Sequence, residues 1–99
     1  MRKLESVEEH LQEKLKDPSF REAYELEELK GKIALFVIQS RIKNKLSQRQ
    51  LAKCAGITQQ EVSRIENGEI GTLRMLCKVL YALGCGVEIS FPKKHLCAA

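Results

Sequence analysis

Residues Ser47 to Gly68 read SQRQLAKCAGITQQEVSRIENG, and the spacing of their polar, small and apolar residues decides the fold. Ser47 with Gln50, and Thr58 with Glu61, fit the S/T-x-x-E/Q capping box, in which the side chain three residues on returns to the free backbone donors of the first turn. Two helix starts therefore lie eleven residues apart. Leu51, Ala52, Val62 and Ile65 fall where two such helices would touch, Ala52 is small enough for close approach, and Gly56 permits the left-handed backbone of a tight turn. The expected unit is a helix-turn-helix, a pair whose second helix fits the DNA major groove.

Downstream, Asn67-Gly68 tolerates the left-handed geometry that ends a helix. Thr72 can cap another helix, in which Leu73, Leu76, Leu80 and Leu83 recur at helical spacing, with Val79 and Tyr81 flanking, until Gly84 stops it. Val87 to Phe91 reads VEISF, alternating so that Val87, Ile89 and Phe91 share a face before Pro92 closes the run. A lone strand leaves its backbone groups unpaired, so this one is expected to pair with its own copy across a dimer twofold. Residues 93–99 are expected to be a flexible tail.

Upstream, Lys32 to about Lys45 is helical in pattern. Ile33, Phe36, Val37 and Ile38 point broadly one way, Gln39 and Lys43 the other, and Leu35 and Ile42 occupy a further face. That surplus is either partly buried or packs on the N-terminal segment or a second chain. Ser6 with Glu9 makes a further capping box, followed by Val7, Leu11 and Leu15 at i, i+4, i+8. Asp17-Pro18 breaks this helix and starts the next, with Phe20, Ala23, Tyr24 and Glu27 on neighbouring turns. Gly31 is expected to mark the boundary of an appendage. The resulting division is an acidic helical extension over 1–30, a DNA-binding domain over 31–84, a dimerisation strand over 85–92 and the tail.

At 99 residues the chain suits one small domain with an appendage, and a chain of this size buries only about 60 to 65% of its unfolded surface, so dimerisation would help. No apolar run approaches the roughly 18 to 20 residues that span a bilayer, and MRKLESVEEHL has no signal-peptide core. The expected location is cytoplasmic, with the nucleoid. Cys54, Cys77, Cys85 and Cys97 match no zinc spacing, and His10 and His95 stand far apart. Neither a metal nor another cofactor is expected. No paired nucleophile and base, placed carboxylate pair or phosphate-cradling glycine loop is present, so the chain reads as a binding protein and not an enzyme.

The net charge of +4 is unevenly spread. Residues 1–30 carry nine acidic against six basic side chains, whereas residues 31–99 carry four against eleven. The basic part suits a polyanion through counterion release, and the acidic part a basic protein. In the second helix of the motif, Gln59 and Gln60 occupy the first turn, where an amide can meet adenine N6 and N7, and Ser63 and Arg64 follow one turn on. Arg64 suits a guanine or a phosphate equally well. Gln48, Arg49, Lys43, Lys45 and Thr58 are the candidate phosphate contacts. Phosphate would repel Glu66, which is expected to pair structurally with Arg41.

LSQRQLAKCAGITQQEVSRIENG, Leu46 to Gly68, resembles the Xre/Cro family of phage repressors and their relatives. The resemblance implies a mostly α, lambda-repressor-like bundle in which positions 48, 59, 60, 63 and 64 line the DNA surface and Arg41 and Glu66 form an ion pair. The terminal strand resembles that of HigA and HipB antitoxins, where it builds an intersubunit sheet, and is unlike the fifth helix of phage repressors. LKDPSFREAYELEE, Leu15 to Glu28, is similar to the front of HigA-like antitoxins encoded with RelE/ParE-type toxins. The leading expectation is a homodimeric repressor of a palindromic operator that also neutralises a basic ribonuclease toxin through Leu11, Leu15, Phe20 and Tyr24. The alternatives are a solitary Xre-type regulator of a prophage or restriction system, or a protein-interaction module that has lost DNA.

Overall fold

A computed structural model of the chain describes residues 2–93. Five helices follow in order: α1 over Arg2–Lys14, α2 over Pro18–Lys43, α3 over Gln48–Ala55, α4 over Gln59–Glu66 and α5 over Leu73–Ala82. Helix α3 packs on α4 and α5, and α2 packs on α4. The expected tail falls mostly outside the described residues, and so do Cys97 and His95.

Each helix from α3 on starts as its sequence dictates. Ser47 Oγ accepts from the Gln50 amide at 3.1 Å while Gln50 Oε1 accepts from the Ser47 amide at 2.8 Å. Thr58 and Glu61 repeat this reciprocal pair at 3.1 and 3.2 Å, and Thr72 Oγ1 accepts from the Met75 amide at 3.2 Å. Replacing such a cap by alanine costs about 1 kcal/mol. The ends are equally uniform. Helices α2 to α5 each close on a residue of positive φ, namely Lys45, Gly56, Gly68 and Gly84. In each case the following amide donates back to the carbonyl five residues earlier: Leu46 to Arg41, Ile57 to Ala52, Glu69 to Arg64 and Cys85 to Leu80. Lys45, at φ 58, is the only one of the four that is not glycine.

The core is made by Val37 of α2, Leu51 and Ala52 of α3, Val62 and Ile65 of α4, and Leu76, Val79, Leu80 and Leu83 at the C-terminal side. Leu51, Val62 and Val79 have no exposed surface at all. The stripe that α2 buries runs through Ala34 and Val37, with Ile33 and Arg41 at its edge. Phe36, one residue back from Val37, is rotated by about 100° and stays 46% exposed, in contrast to the face expected for it. Leu73 begins α5 on a turn that lies outside the core and is also exposed.

Three further features differ from the reading of the sequence. Helix α1 starts upstream of Ser6, so this serine lies inside a helix and does not start one. Helix α2 runs unbroken through Gly31, because nothing else in Pro18–Lys43 opposes helix and one glycine costs only about 1 kcal/mol. The two helices expected there are one, about 39 Å long at 1.5 Å per residue. Val87 to Phe91 forms no strand in the monomer. Among the described residues no backbone hydrogen bond is made beyond the amide of Cys85, because a single extended segment has no neighbour to complete a ladder.

Candidate nucleic-acid interface

Asp17 accepts from the Ser19 amide at 3.0 Å and Pro18 takes the first helical position, so α2 starts from a sharp turn after α1. Lys14 lies 5.5 Å over the ring of Phe20, and Phe20 stacks on Tyr24 with centroids 6.3 Å apart. Leu11, Leu15 and Phe20 are half-buried, and Tyr24 is exposed. Leu15 and Tyr24 line one open cleft with Gln12, Arg21 and Glu28, and no side chain between Pro18 and Lys32 is fully buried.

Helix α4 presents two i, i+4 pairs. Val62 and Ile65 point into the core, so Gln60 and Arg64 lie on the opposite side of the helix, flanked by Gln59 and Ser63. Gln59, Gln60 and Arg64 are exposed and Ser63 is half-buried. Arg64 also lines an open cleft with Glu27 and Lys30 of α2 and the turn from Asn67 to Gly71. The guanidinium therefore lies within the reach of α2 as well as on the outer face of α4.

Helices α3 and α4 both offer free backbone donors at their starts. The caps occupy the amides of Gln50 and Glu61, which leaves those of Gln48, Arg49, Gln59 and Gln60 directed out of the first turns. Aligned amides of this kind suit a phosphate. Arg49, Lys43, Lys45 and Thr58 are all exposed nearby in the chain.

One network ties the three helices of the interface together. Arg41 Nε donates to Glu66 Oε2 at 2.7 Å and Arg41 Nη2 to Glu66 Oε1 at 3.1 Å, a two-pronged pair, while Arg41 Nη1 donates to the Leu46 carbonyl at 2.9 Å. The side chains are 17% and 6% exposed, so solvent screens them weakly. Gln48 Nε2 also donates to Glu66 Oε1, at 3.2 Å. The sequence pointed to Arg41 and Glu66 as partners but not to this third member, and no spacing signal links position 48 to position 66. The link also fixes one amide proton of Gln48 and leaves the other, with the carbonyl oxygen, for a ligand.

Among the described residues no three His, Cys, Asp or Glu side chains gather as a metal site, and no helix is long and apolar enough to cross a membrane. Cys54 and Cys77 are exposed free thiols and Cys85 is a half-buried one. Residues 14–91 match the family model described as a helix-turn-helix domain. No curated protein matches the chain.

Proposed function

The chain belongs to the helix-turn-helix domain family, and from that premise we infer that it is a sequence-specific transcriptional repressor that binds a palindromic operator as a homodimer. The observation that carries this reading is the outer face of α4, where Gln59, Gln60, Ser63 and Arg64 stand as two i, i+4 pairs on a capped helix backed by the core. A glutamine amide offers adenine a donor and an acceptor together, and each such contact discriminates by about 1 to 3 kcal/mol. Gln48, Arg49, Lys43, Lys45 and Thr58 set the register by contacting phosphates.

Val87, Ile89 and Phe91, exposed and without backbone partners among the described residues, pair with the same segment of a second copy. Two recognition helices are thereby held at one helical repeat of DNA, about 34 to 36 Å. The net −3 of residues 1–30, with six basic against nine acidic side chains, supports the second half of the reading. In this half, Leu11, Leu15, Phe20 and Tyr24 engage a basic RelE/ParE-type ribonuclease toxin, and the protein is a HigA-like antitoxin that represses its own promoter. It works in the cytoplasm, on the nucleoid, with no cofactor and no catalytic step.

Gel shifts on the promoter of its own gene test the DNA half. Gln60→Ala should relax preference at one base position per half-site, whereas Lys43→Ala should weaken all sequences alike and reduce the slope of log K against log salt by about 1. Unchanged operator affinity in both variants overturns the assignment. Co-purification of the native operon product tests the toxin half, and recovery of the chain without any small basic protein leaves a solitary regulator.

A further inference from the structure

Helix α2 carries an apolar stripe that the monomer does not cover. Leu26, Leu29 and Phe36 are 51%, 56% and 46% exposed, and with the half-buried Ile33 between them they follow a 3, 4, 3 spacing along one side of the helix. The stripe faces away from Phe20 and Tyr24, which lie more than 100° round the helix. The chain leaves such surfaces open because it is extended. Its radius of gyration is 17.0 Å, against about 13 Å for a compact chain of this length.

The charges along α2 select the occupant. Residues 18–29 hold four glutamates and one arginine, net −3, and residues 30–43 hold three lysines and one arginine with no acid; Glu66 holds Arg41, so the basic half offers its three lysines to a partner. Compensation of the helix dipole does not account for the acidic half, since no acidic residue lies in the first turn, where that effect is concentrated. A uniformly basic partner would meet Lys30, Lys32 and Lys43, and a uniformly acidic one would meet the glutamates. Only a helix of the opposite polarity satisfies both halves, and α2 itself, run antiparallel, is one.

The geometry points to the Leu26–Leu29–Phe36 face of α2 as a docking surface for a second copy of this chain, with the two α2 helices antiparallel about a twofold near Ile33. Leu29 of one copy then lies opposite Phe36 of the other. Glu22 lies opposite Lys43, on the same 3, 4 track as the stripe, and among the described residues neither makes an ion pair, whereas Glu25, Glu27 and Glu28 are held by Arg21, Lys30 and Lys32 within the helix. Ser40, small and half-buried, leaves room at the end of the track. The twofold repeats every contact, so each charge reversal acts twice.

Sedimentation equilibrium of the full chain without DNA tests the contact. Glu22→Lys and Lys43→Glu should each weaken self-association by about tenfold, and the double reversal should restore it to within about twofold. Leu29→Glu should weaken it further, with circular dichroism at 222 nm unchanged because the site is exposed. Association unaffected by the single reversals, or a double reversal no better than either, overturns the proposal. A parallel Val87→Lys/Phe91→Lys variant separates the two contacts: if it alone alters the mass, the α2 contact fails while the terminal strand contact stands.

Discussion

Removing the carboxylate of Glu66 should cost this small domain a large share of its stability. Glu66→Ala deletes two charge-assisted bonds from Arg41 and one from Gln48 and leaves a guanidinium that is only 17% exposed. Breaking one side of a buried ion pair costs about 3 to 5 kcal/mol. Arg41 keeps the Leu46 carbonyl, which lowers the expected loss to about 2 to 3 kcal/mol, since one bond to a charged group is worth about 1.5 kcal/mol or more. A domain of this size holds roughly 5 to 15 kcal/mol in total. Urea melts followed at 222 nm should therefore show a midpoint lowered by about 2 M, with m near 1 kcal/mol per M and unchanged. The double variant Arg41→Met/Glu66→Leu should recover most of that loss, because exchanging both partners for apolar groups removes the uncompensated charge. A loss below about 1 kcal/mol in the single variant, or a double variant that costs the sum of the two singles, would refute the claim that this pair is desolvated.

Two other substitutions probe the helix ends. Gly56→Ala should destabilise by about 1 to 2 kcal/mol through backbone strain alone, since its φ is 71° and a Cβ there would meet nothing within 4 Å; an unchanged melting midpoint would contradict this. Lys45→Gly should act in the opposite sense, raising the urea midpoint by the equivalent of about 0.5 kcal/mol, because it relieves the left-handed residue at φ 58 while adding some chain entropy to the unfolded state. A lower midpoint would show that the Lys45 side chain stabilises the turn more than its backbone strains it.

The parts of the fold that were legible in the sequence are those whose signals act within a few residues. The caps at Ser47, Thr58 and Thr72, the turn at Gly56 and the stop at Gly84 each need only a local pattern, and the structure has them all. The length of α2 is not legible for the converse reason: Gly31 weakens a helix locally but cannot outweigh helix-favouring neighbours on both sides. Phe36 lies off the core face, and apolar character at helical spacing does not say which of two adjacent stripes faces the core. The hydrogen bond from Gln48 to Glu66 joins the start of α3 to the end of α4, a juxtaposition that depends on how the helices cross and leaves no mark in either segment. VEISF presents a different case, since alternation encodes a strand only once something supplies the neighbouring strand.

The repeated closure of α2, α3, α4 and α5 on a left-handed residue bears on how quickly the chain reaches this structure. Each of these helices carries its own stop, and the packed pairs lie one or two helices apart in the chain. Little loop entropy has to be spent before packing begins. Chains dominated by such short-range pairing fold in about microseconds to milliseconds. Residues 33–84 should accordingly refold in a single fast phase, before two copies can meet by diffusion at cellular concentration.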